Sequence, residues 1–280
     1  MMGLISEPGL QALHQQHGTD GLAADRSQKW TAERVLSIHY WTPTLLSFRT
    51  TRYHGFRFTP GHYARIGLAA ADGCVIWRPY SIASAAYDDT LEFTAVLIPG
   101  GAFSARLEKL RVGDALMIAK ASYGFLTVDQ LAPGMDLWLL ASGTGLGPFL
   151  SILRDPAVWQ AFERLIVVHS VRHLSELAYR DEIAAIPGEG LFADARAQLR
   201  YLPVVTRDPG ATELSDRIPM LLADGRLEQA AGMPIDVASS RLMICGNPEM
   251  ARDLRRLLGT RGFATSRRGV PGQMAFENYW

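Results

Sequence analysis

Leu137-Trp138-Leu139-Leu140-Ala141-Ser142 runs directly into Gly143-Thr144-Gly145-Leu146-Gly147-Pro148, an apolar run followed by glycine at three alternate positions. A short apolar run closed by turn residues reads as a strand buried on both faces, as strands of parallel sheets are. Strand, glycine loop and then the helix-like LGPFLSILRD is the order expected of a nucleotide loop beyond the carboxyl end of a strand. The spacing is GxGxG and then proline, not GxGxxG, so a plain glycine-rich helix entry is the alternative.

The same alternation continues downstream. RLIVVHS (164–170), YLPVVT (201–206) and RLMICG (241–246) are separated by helix-like stretches that include SELAYRDEIAAI and NPEMARDLRRLLGTRG. That predicts a parallel sheet with crossover helices, an α/β half. Upstream of the break LAPGMD the text changes character. ERVLSIHYW, LLSFRT, HYARIGLA, LEFTAVLI and DALMIA are short, rich in β-branched and aromatic residues, and divided by TPG, ADG and VGD. They predict an all-β antiparallel barrel or sandwich. One helix is expected within it, at 102–110, with Phe103, Leu107 and Leu110 on one face. The predicted organisation is a weakly ordered extension at 1–29, with a short helix around Gly9 to His17, then a barrel at 30–133 and an α/β domain at 134–280.

The 280 residues carry 28 Lys plus Arg against 28 Asp plus Glu, so no global field draws in nucleic acid or an anionic membrane. Cys74 and Cys245 form neither a CxxC pair nor a ligand set, which suits a reducing compartment. No run reaches the roughly 18 apolar residues of a membrane span, and no signal peptide is legible. A cytoplasmic monomer is expected. The seven histidines are scattered without HExxH or HxH spacing, so no metal site is expected.

Five stretches can carry chemistry. In Arg78-Pro79-Tyr80-Ser81 the guanidinium suits a diphosphate, the ring suits stacking and the hydroxyl is a compact hydrogen-bonding group; a barrel strand at a proline edge is the alternative. Pro99-Gly100-Gly101-Ala102-Phe103-Ser104 places a glycine pair before a helix, where free amides bind phosphate, or forms a tight turn. The Gly143–Gly147 loop is the third. Arg172 follows LIVVHS where an NAD-specific site would carry an acid, and Arg207 and Arg217 lie in the same half, a pattern that suits a 2′-phosphate. Cys245-Gly246-Asn247-Pro248 ends the last of the predicted strands: its thiol can pack against a flat ring or be a small buried hydrophobe, and no base is at hand to make it a nucleophile. The ending Ala275-Phe276-Glu277-Asn278-Tyr279-Trp280 suits either core packing or cover for a flat cofactor.

The order RPYS, PGGAFS, SGTGLGP, CGNP and an aromatic carboxyl terminus resembles the ferredoxin/flavodoxin–NADP reductases, in particular the compact bacterial type ending in Tyr-Trp, over residues 30–280. The resemblance implies an antiparallel FAD-binding barrel followed by an NADP-binding α/β domain. It implies contacts from Arg78 to the FAD diphosphate, with Gly101, Ala102 and Ser104 completing that site and Phe103 and Pro79 within it. Tyr80 would stack on the isoalloxazine and Ser81 lie near N5. Gly143, Thr144, Gly145 and Gly147 would receive NADP(H), and Arg172, Arg207 and Arg217 would surround its 2′-phosphate. Cys245 and Glu277 would sit with Ser81 at the hydride-transfer site, and Tyr279 and Trp280 would shield FAD. Pro79 stands where relatives commonly have alanine and His62 where they have glutamine; neither change removes a functional group. The implied partner is ferredoxin or flavodoxin. The rivals are an oxygenase-associated or free-flavin reductase of the same architecture, and a FAD- or nucleotide-binding protein without turnover. Two cysteines cannot supply the four thiolates of an oxygenase's iron–sulfur centre from this chain alone.

Overall fold

The computed structural model describes residues 29–277 apart from 71, 72 and 193. The helix expected at Gly9–His17, and Tyr279 and Trp280, lie outside the described residues. The first half is six antiparallel strands: β1 (Trp30–Tyr40), β2 (Leu45–Thr51), β3 (Tyr63–Ala69), β4 (Val75–Ser81), β5 (Thr90–Val96) and β6 (Ala115–Tyr123), in the order β4-β3-β6-β1-β2-β5. The ring closes where Ile82 pairs with Phe93 and the Ala83 N–H donates to the Glu92 carbonyl at 2.8 Å. Period-two patterning explains the curl: Leu46 and Phe48, and Leu91, Phe93 and Ala95, point into the barrel core. Ser47, Arg49, Glu92 and Thr94 alternate with them and take the outer face. Pro79 is exposed in β4, which pairs with β3 alone along that stretch, a position where a missing N–H is tolerated.

The helix expected at 102–110 is one turn, α1 (Ser104–Leu107). Phe103, Leu107 and Leu110 are all buried as expected, but the chain reaches Leu110 through i→i+3 bonds from Lys109 to Arg106 and from Leu110 to Leu107, each 3.1 Å. Tightening of that kind is common at helix ends.

The second half is a parallel sheet of β7 (Asp136–Ser142), β8 (Arg164–Val171), β9 (Gln198–Val205), β10 (Ser240–Cys245) and β11 (Met274–Glu277), ordered β11-β10-β7-β8-β9. Adjacent β7 residues feed opposite cores, which is why the run is apolar throughout. Leu137, Leu139 and Ala141 pack with α2 (Gly147–Leu153), α3 (Pro156–Ala161) and α4 (Arg180–Ala185). Trp138 and Leu140 pack with α5 (Ile218–Ala223), α6 (Arg226–Ala231) and α7 (Pro248–Thr260). From β7 the chain steps to β8 on one side, and from β9 it returns to β10 on the other. The topological switch point therefore lies between β7 and β10, and ligands of open α/β sheets bind beyond the carboxyl ends of the strands at such a point. β11 is a strand that the sequence does not predict; it pairs with β10 and brings Glu277 level with Cys245. The helix-like stretch 175–186 is also interrupted, because Tyr179 adopts the left-handed region with φ 61° before α4 begins.

Candidate active site

The Gly143–Gly147 loop occupies the switch point and touches both halves of the molecule. Gly143 has φ +55° with open space around its missing Cβ, and its loop turns as a short 3-10 helix into α2. A Cβ on Gly145 would lie 2.3 Å from the Cys245 carbonyl oxygen, so the two strand ends meet backbone to backbone. A Cβ on Gly147 would lie 3.0 Å from Thr94 Oγ1 and 3.4 Å from Ser81 Cβ. Cys245 is aligned with Ala141 on one side and Glu277 on the other. Ser81 and Cys245, far apart in sequence, thus converge on one glycine loop, and Glu277 lies level with Cys245 on the neighbouring strand. Thr144 is half-buried beside it. Burial, and then the Glu277 carboxylate, hold the Cys245 thiol well above its usual range, so it is a neutral packing group. Asn247 caps α7, its Oδ1 accepting from the Glu249 and Met250 N–H groups, while its own N–H donates to Ser142 Oγ at 2.8 Å.

On the barrel, the two motifs expected to act together do meet. Tyr80 packs on Phe103 with ring centroids 5.5 Å apart, and burial pushes its hydroxyl up to about 12. Arg78, on the same side of β4, is exposed, its guanidinium donating to the Trp77 carbonyl at 2.8 Å. The Gly101 N–H donates to the Ile98 carbonyl, and Ser104 Oγ accepts from the Ile98 N–H, both at 2.9 Å. That folds Pro99–Ser104 into a compact turn with Ala102 exposed at its tip.

At the far end of the parallel sheet, the Arg207 N–H donates to the Arg172 carbonyl at 2.8 Å, so these two arginines stand side by side beyond β8 and β9. Arg217 is exposed at the start of α5. Among the described residues no acid pairs with any of the three guanidinium groups. There is nevertheless an acid at the end of β8. Glu176 Oε2 accepts from the Arg172 and His173 N–H groups at 2.9 and 3.1 Å, and Asp208 accepts from Leu174 N–H at 2.7 Å. These carboxylates satisfy backbone donors and leave the Arg172 side chain exposed.

Sequence reasoning passes over His169, although a histidine inside an apolar strand is itself a signal. It is fully buried, with Nε2 3.2 Å from the Gly143 carbonyl and Nδ1 3.2 Å from the Tyr201 hydroxyl. A carbonyl only accepts, so Nε2 carries the proton and Nδ1 accepts from Tyr201. Burial lowers its pKa from 6.5 to about 4, with Glu176 the charge that partly opposes the shift. Between those values the unfolded chain binds a proton that the folded one does not, so stability falls as pH drops below about 6.5. Going from pH 7.5 to 5 should cost about 2 kcal/mol through this residue. Urea unfolding of wild type and His169→Gln at both pH values checks this: the stability gap between them should narrow by that amount at pH 5, and a constant gap would refute it.

Two family models match the chain, an oxidoreductase FAD-binding domain over residues 41–126 and an oxidoreductase NAD-binding domain over residues 139–256. Ferredoxin–NADP reductase A of Sorangium cellulosum is 42% identical over 253 residues, covering 89% of each chain. Flavodoxin/ferredoxin–NADP reductase of Escherichia coli is 35% identical over 252 residues, covering 90% of this chain and 99% of that one. The chain belongs to the ferredoxin/flavodoxin–NADP reductase family. Its fold is that of the family: the crystal structure of a ferredoxin NADP+ reductase from Neisseria gonorrhoeae with bound FAD and NADP matches with a TM-score of 0.83 at 39% identity, over 90% of this chain and 100% of that one. Within this reductase family member, Arg78–Ser81 and Gly101–Ser104 fall in the FAD-binding match, and the glycine loop, the three arginines and Cys245 fall in the NAD-binding match. Glu277 lies beyond both. Among the described residues no helix is long and apolar enough to cross a membrane.

Proposed function

We propose that this chain moves reducing equivalents between NADP(H) and a one-electron protein carrier, ferredoxin or flavodoxin, through FAD held on its barrel. The observation that carries this reading is the convergence of Ser81 and Cys245 on the Gly143–Gly147 loop at the seam between the two sheets, with Glu277 paired beside Cys245. Bound FAD supplies the chemistry that couples a two-electron hydride transfer to single-electron transfers. The residues fit such a group: an exposed guanidinium and a glycine turn flank a half-buried aromatic ring.

On this reading the barrel half, 30–133, binds FAD. Arg78 clamps the diphosphate from one side, the turn of Gly101, Ala102 and Ser104 takes the other, and Tyr80 stacks on the flavin with Phe103 behind it. Pro79 stiffens the strand between them. The α/β half, 134–280, binds NADP(H). Gly143, Thr144, Gly145 and Gly147 receive the diphosphate and nicotinamide side, and Arg172, Arg207 and Arg217 take the 2′-phosphate. Ser81 lies by the reacting flavin nitrogen, Cys245 gives the nicotinamide an uncharged wall, and Glu277 completes the pocket. Tyr279 and Trp280 cover the flavin from water. No side chain needs to form a covalent bond, because alignment dominates the step. The reading is of a cytoplasmic monomer, and the balanced charge of the chain suits the absence of a nucleic acid or anionic membrane partner.

The test is a visible absorption spectrum of purified protein, taken without oxygen before and after NADPH. Flavin bands should be present, bleach with NADPH, and return when oxidised ferredoxin or flavodoxin is added. Colourless protein unable to take up added FAD would sink the proposal.

A further inference from the structure

We infer that Glu92, acting through Tyr179 and Arg154, is a positioning residue that holds the nucleotide-binding half against the barrel at the distance hydride transfer requires. The inference rests on the function proposed above and names residues that reading does not use.

The starting point is helix α2, which is fastened at both ends to one short piece of barrel. Its first residue, Gly147, lies against Ser81 and Thr94. Arg154, which caps its other end, donates to the Ala83 carbonyl at 2.9 Å and to Glu92 Oε2 at 3.1 Å. Ser81 and Ala83 lie two residues apart on one segment and Thr94 and Glu92 two apart on its neighbour, with the Ile82–Phe93 pairing between them. The helix that carries the glycine loop is therefore located along its length by the pairing that closes the barrel.

The other oxygen of Glu92 secures the second nucleotide segment. Glu92 Oε1 accepts from the Tyr179 hydroxyl at 2.9 Å, across 87 residues of sequence. Tyr179 directly follows the Arg172–Ala178 segment, which presents the proposed 2′-phosphate arginine. It is the one non-glycine residue with positive φ among the described residues, a conformation that costs a residue with a Cβ free energy and persists where the surroundings hold it. Here the surroundings include Trp41, whose ring lies 4.8 Å away, Glu92, and the Ser47 hydroxyl, which also hydrogen-bonds that of Tyr179. Arg49 adds a third partner to the carboxylate at 3.3 Å, on the same oxygen as Arg154, so the buried charge is paired with two guanidinium groups at Oε2. A cavity of about 320 Å³ opens beside the cluster, lined also by Ser37, His39 and Glu182.

Glu92 thus places both its oxygens on the nucleotide half, one through the helix after the glycine loop and one through the segment after β8. Loosening either changes the angle at which that half meets Ser81, and none of Glu92, Tyr179 and Arg154 is among the residues proposed to contact FAD or NADPH. The test is single-turnover reduction of the FAD-loaded enzyme by saturating NADPH in wild type, Tyr179→Phe, Glu92→Gln and the double variant. Each single variant should reduce its flavin about tenfold more slowly, since small misplacements of reacting atoms are costly. The NADPH concentration for half-maximal rate should stay within about twofold of wild type. Glu92→Gln keeps one accepting oxygen but loses the charge and one acceptor shared with Arg154 and Arg49. The double variant should therefore be slowed by less than the product of the two single effects, because both act through one side-chain cluster. Discharge of dithionite-reduced enzyme to ferricyanide, which needs no nicotinamide alignment, should be unchanged. Tyr179→Phe keeps the ring on Trp41 and decides the matter alone if Glu92→Gln does not fold. Wild-type reduction rates in Tyr179→Phe, or an equal slowing of the ferricyanide step, would overturn the inference. A wild type that carries FAD yet is not reduced by NADPH would overturn the function proposed above along with it.

Discussion

Gly246→Ala should lower kcat/KM for NADPH by more than about 100-fold while the protein keeps its FAD. Gly246 has φ +128°, which L side chains rarely adopt, and an added Cβ would lie 2.3 Å from Ser142 Oγ, 2.6 Å from the Ser142 carbonyl oxygen and 3.0 Å from its nitrogen. Backbone strain of this kind costs about 1–3 kcal/mol and overpacking about as much again. A domain of ordinary stability survives that sum, but the end of β10 has to move. The movement cannot stay local, because the Gly145 backbone is packed against Cys245 and Gly246. The nucleotide loop is displaced, whereas Arg78, Tyr80 and the Pro99–Ser104 turn are in the other half and keep their places. Measuring flavin content together with NADPH-dependent reduction of an artificial acceptor separates the two effects. Activity within threefold of wild type would mean that the switch point tolerates the shift and is not the site.

Arg172→Ala is expected to remove most of a preference for NADPH over NADH. The guanidinium is exposed beside Arg207 with no acidic partner among the described residues, while Glu176 occupies the backbone donors beneath it. A charged hydrogen bond to a 2′-phosphate contributes roughly 1.5–3 kcal/mol, or about ten- to hundredfold in binding, and NADH has no group to use it. The Michaelis constant for NADPH should rise by about that factor, toward the lower end because Arg207 and Arg217 share the charge. The constant for NADH should barely change. The decisive quantity is the ratio of kcat/KM for the two nucleotides at fixed ionic strength in wild type and variant. A wild type without preference, or a variant that keeps it in full, would show that the 2′-phosphate is bound elsewhere.

The parts of this molecule legible from sequence are those whose cause is local. Alternation in LLSFRT and LEFTAVLI marks barrel strands because one face lies in the apolar barrel core while the other carries polar groups, which in β5 are themselves covered by the nucleotide half. The unbroken runs around Leu139 and Val167 mark a sheet covered by apolar layers on both sides. The glycine loop is legible because its strand and helix are its neighbours in the chain. β11 escapes because four residues at a sheet edge show no period, and its pairing partner lies some thirty residues upstream. The helix at 102–110 is overestimated because a shared apolar face is equally well buried by one α turn and two tighter ones. Tyr179 sits in a stretch of good helix formers, and the Glu92 hydrogen bond beside its break is tertiary. His169 reads as one scattered histidine among seven; its partners, Gly143 and Tyr201, come together when three adjacent strands align. The roles given to Arg78, Ser81 and Cys245 come from their order in a family pattern, and the convergence of Ser81 and Cys245 on one loop is the independent observation that supports it.

The contrast between Glu92 and Arg172 lets ionic strength act as a scalpel on the unmutated enzyme. Salt screens exposed charges over about 8–10 Å under ordinary conditions and reaches buried pairs far less. The side chain of Glu92 is 7% exposed and that of Arg154 18%, whereas Arg172 stands in solvent. Added salt therefore weakens the hold on the nucleotide's phosphate while leaving the docking of the two halves as it was. Capture of the nucleotide and the speed of the reaction once it is captured become separately adjustable, the first by the medium and the second by the interior of the protein.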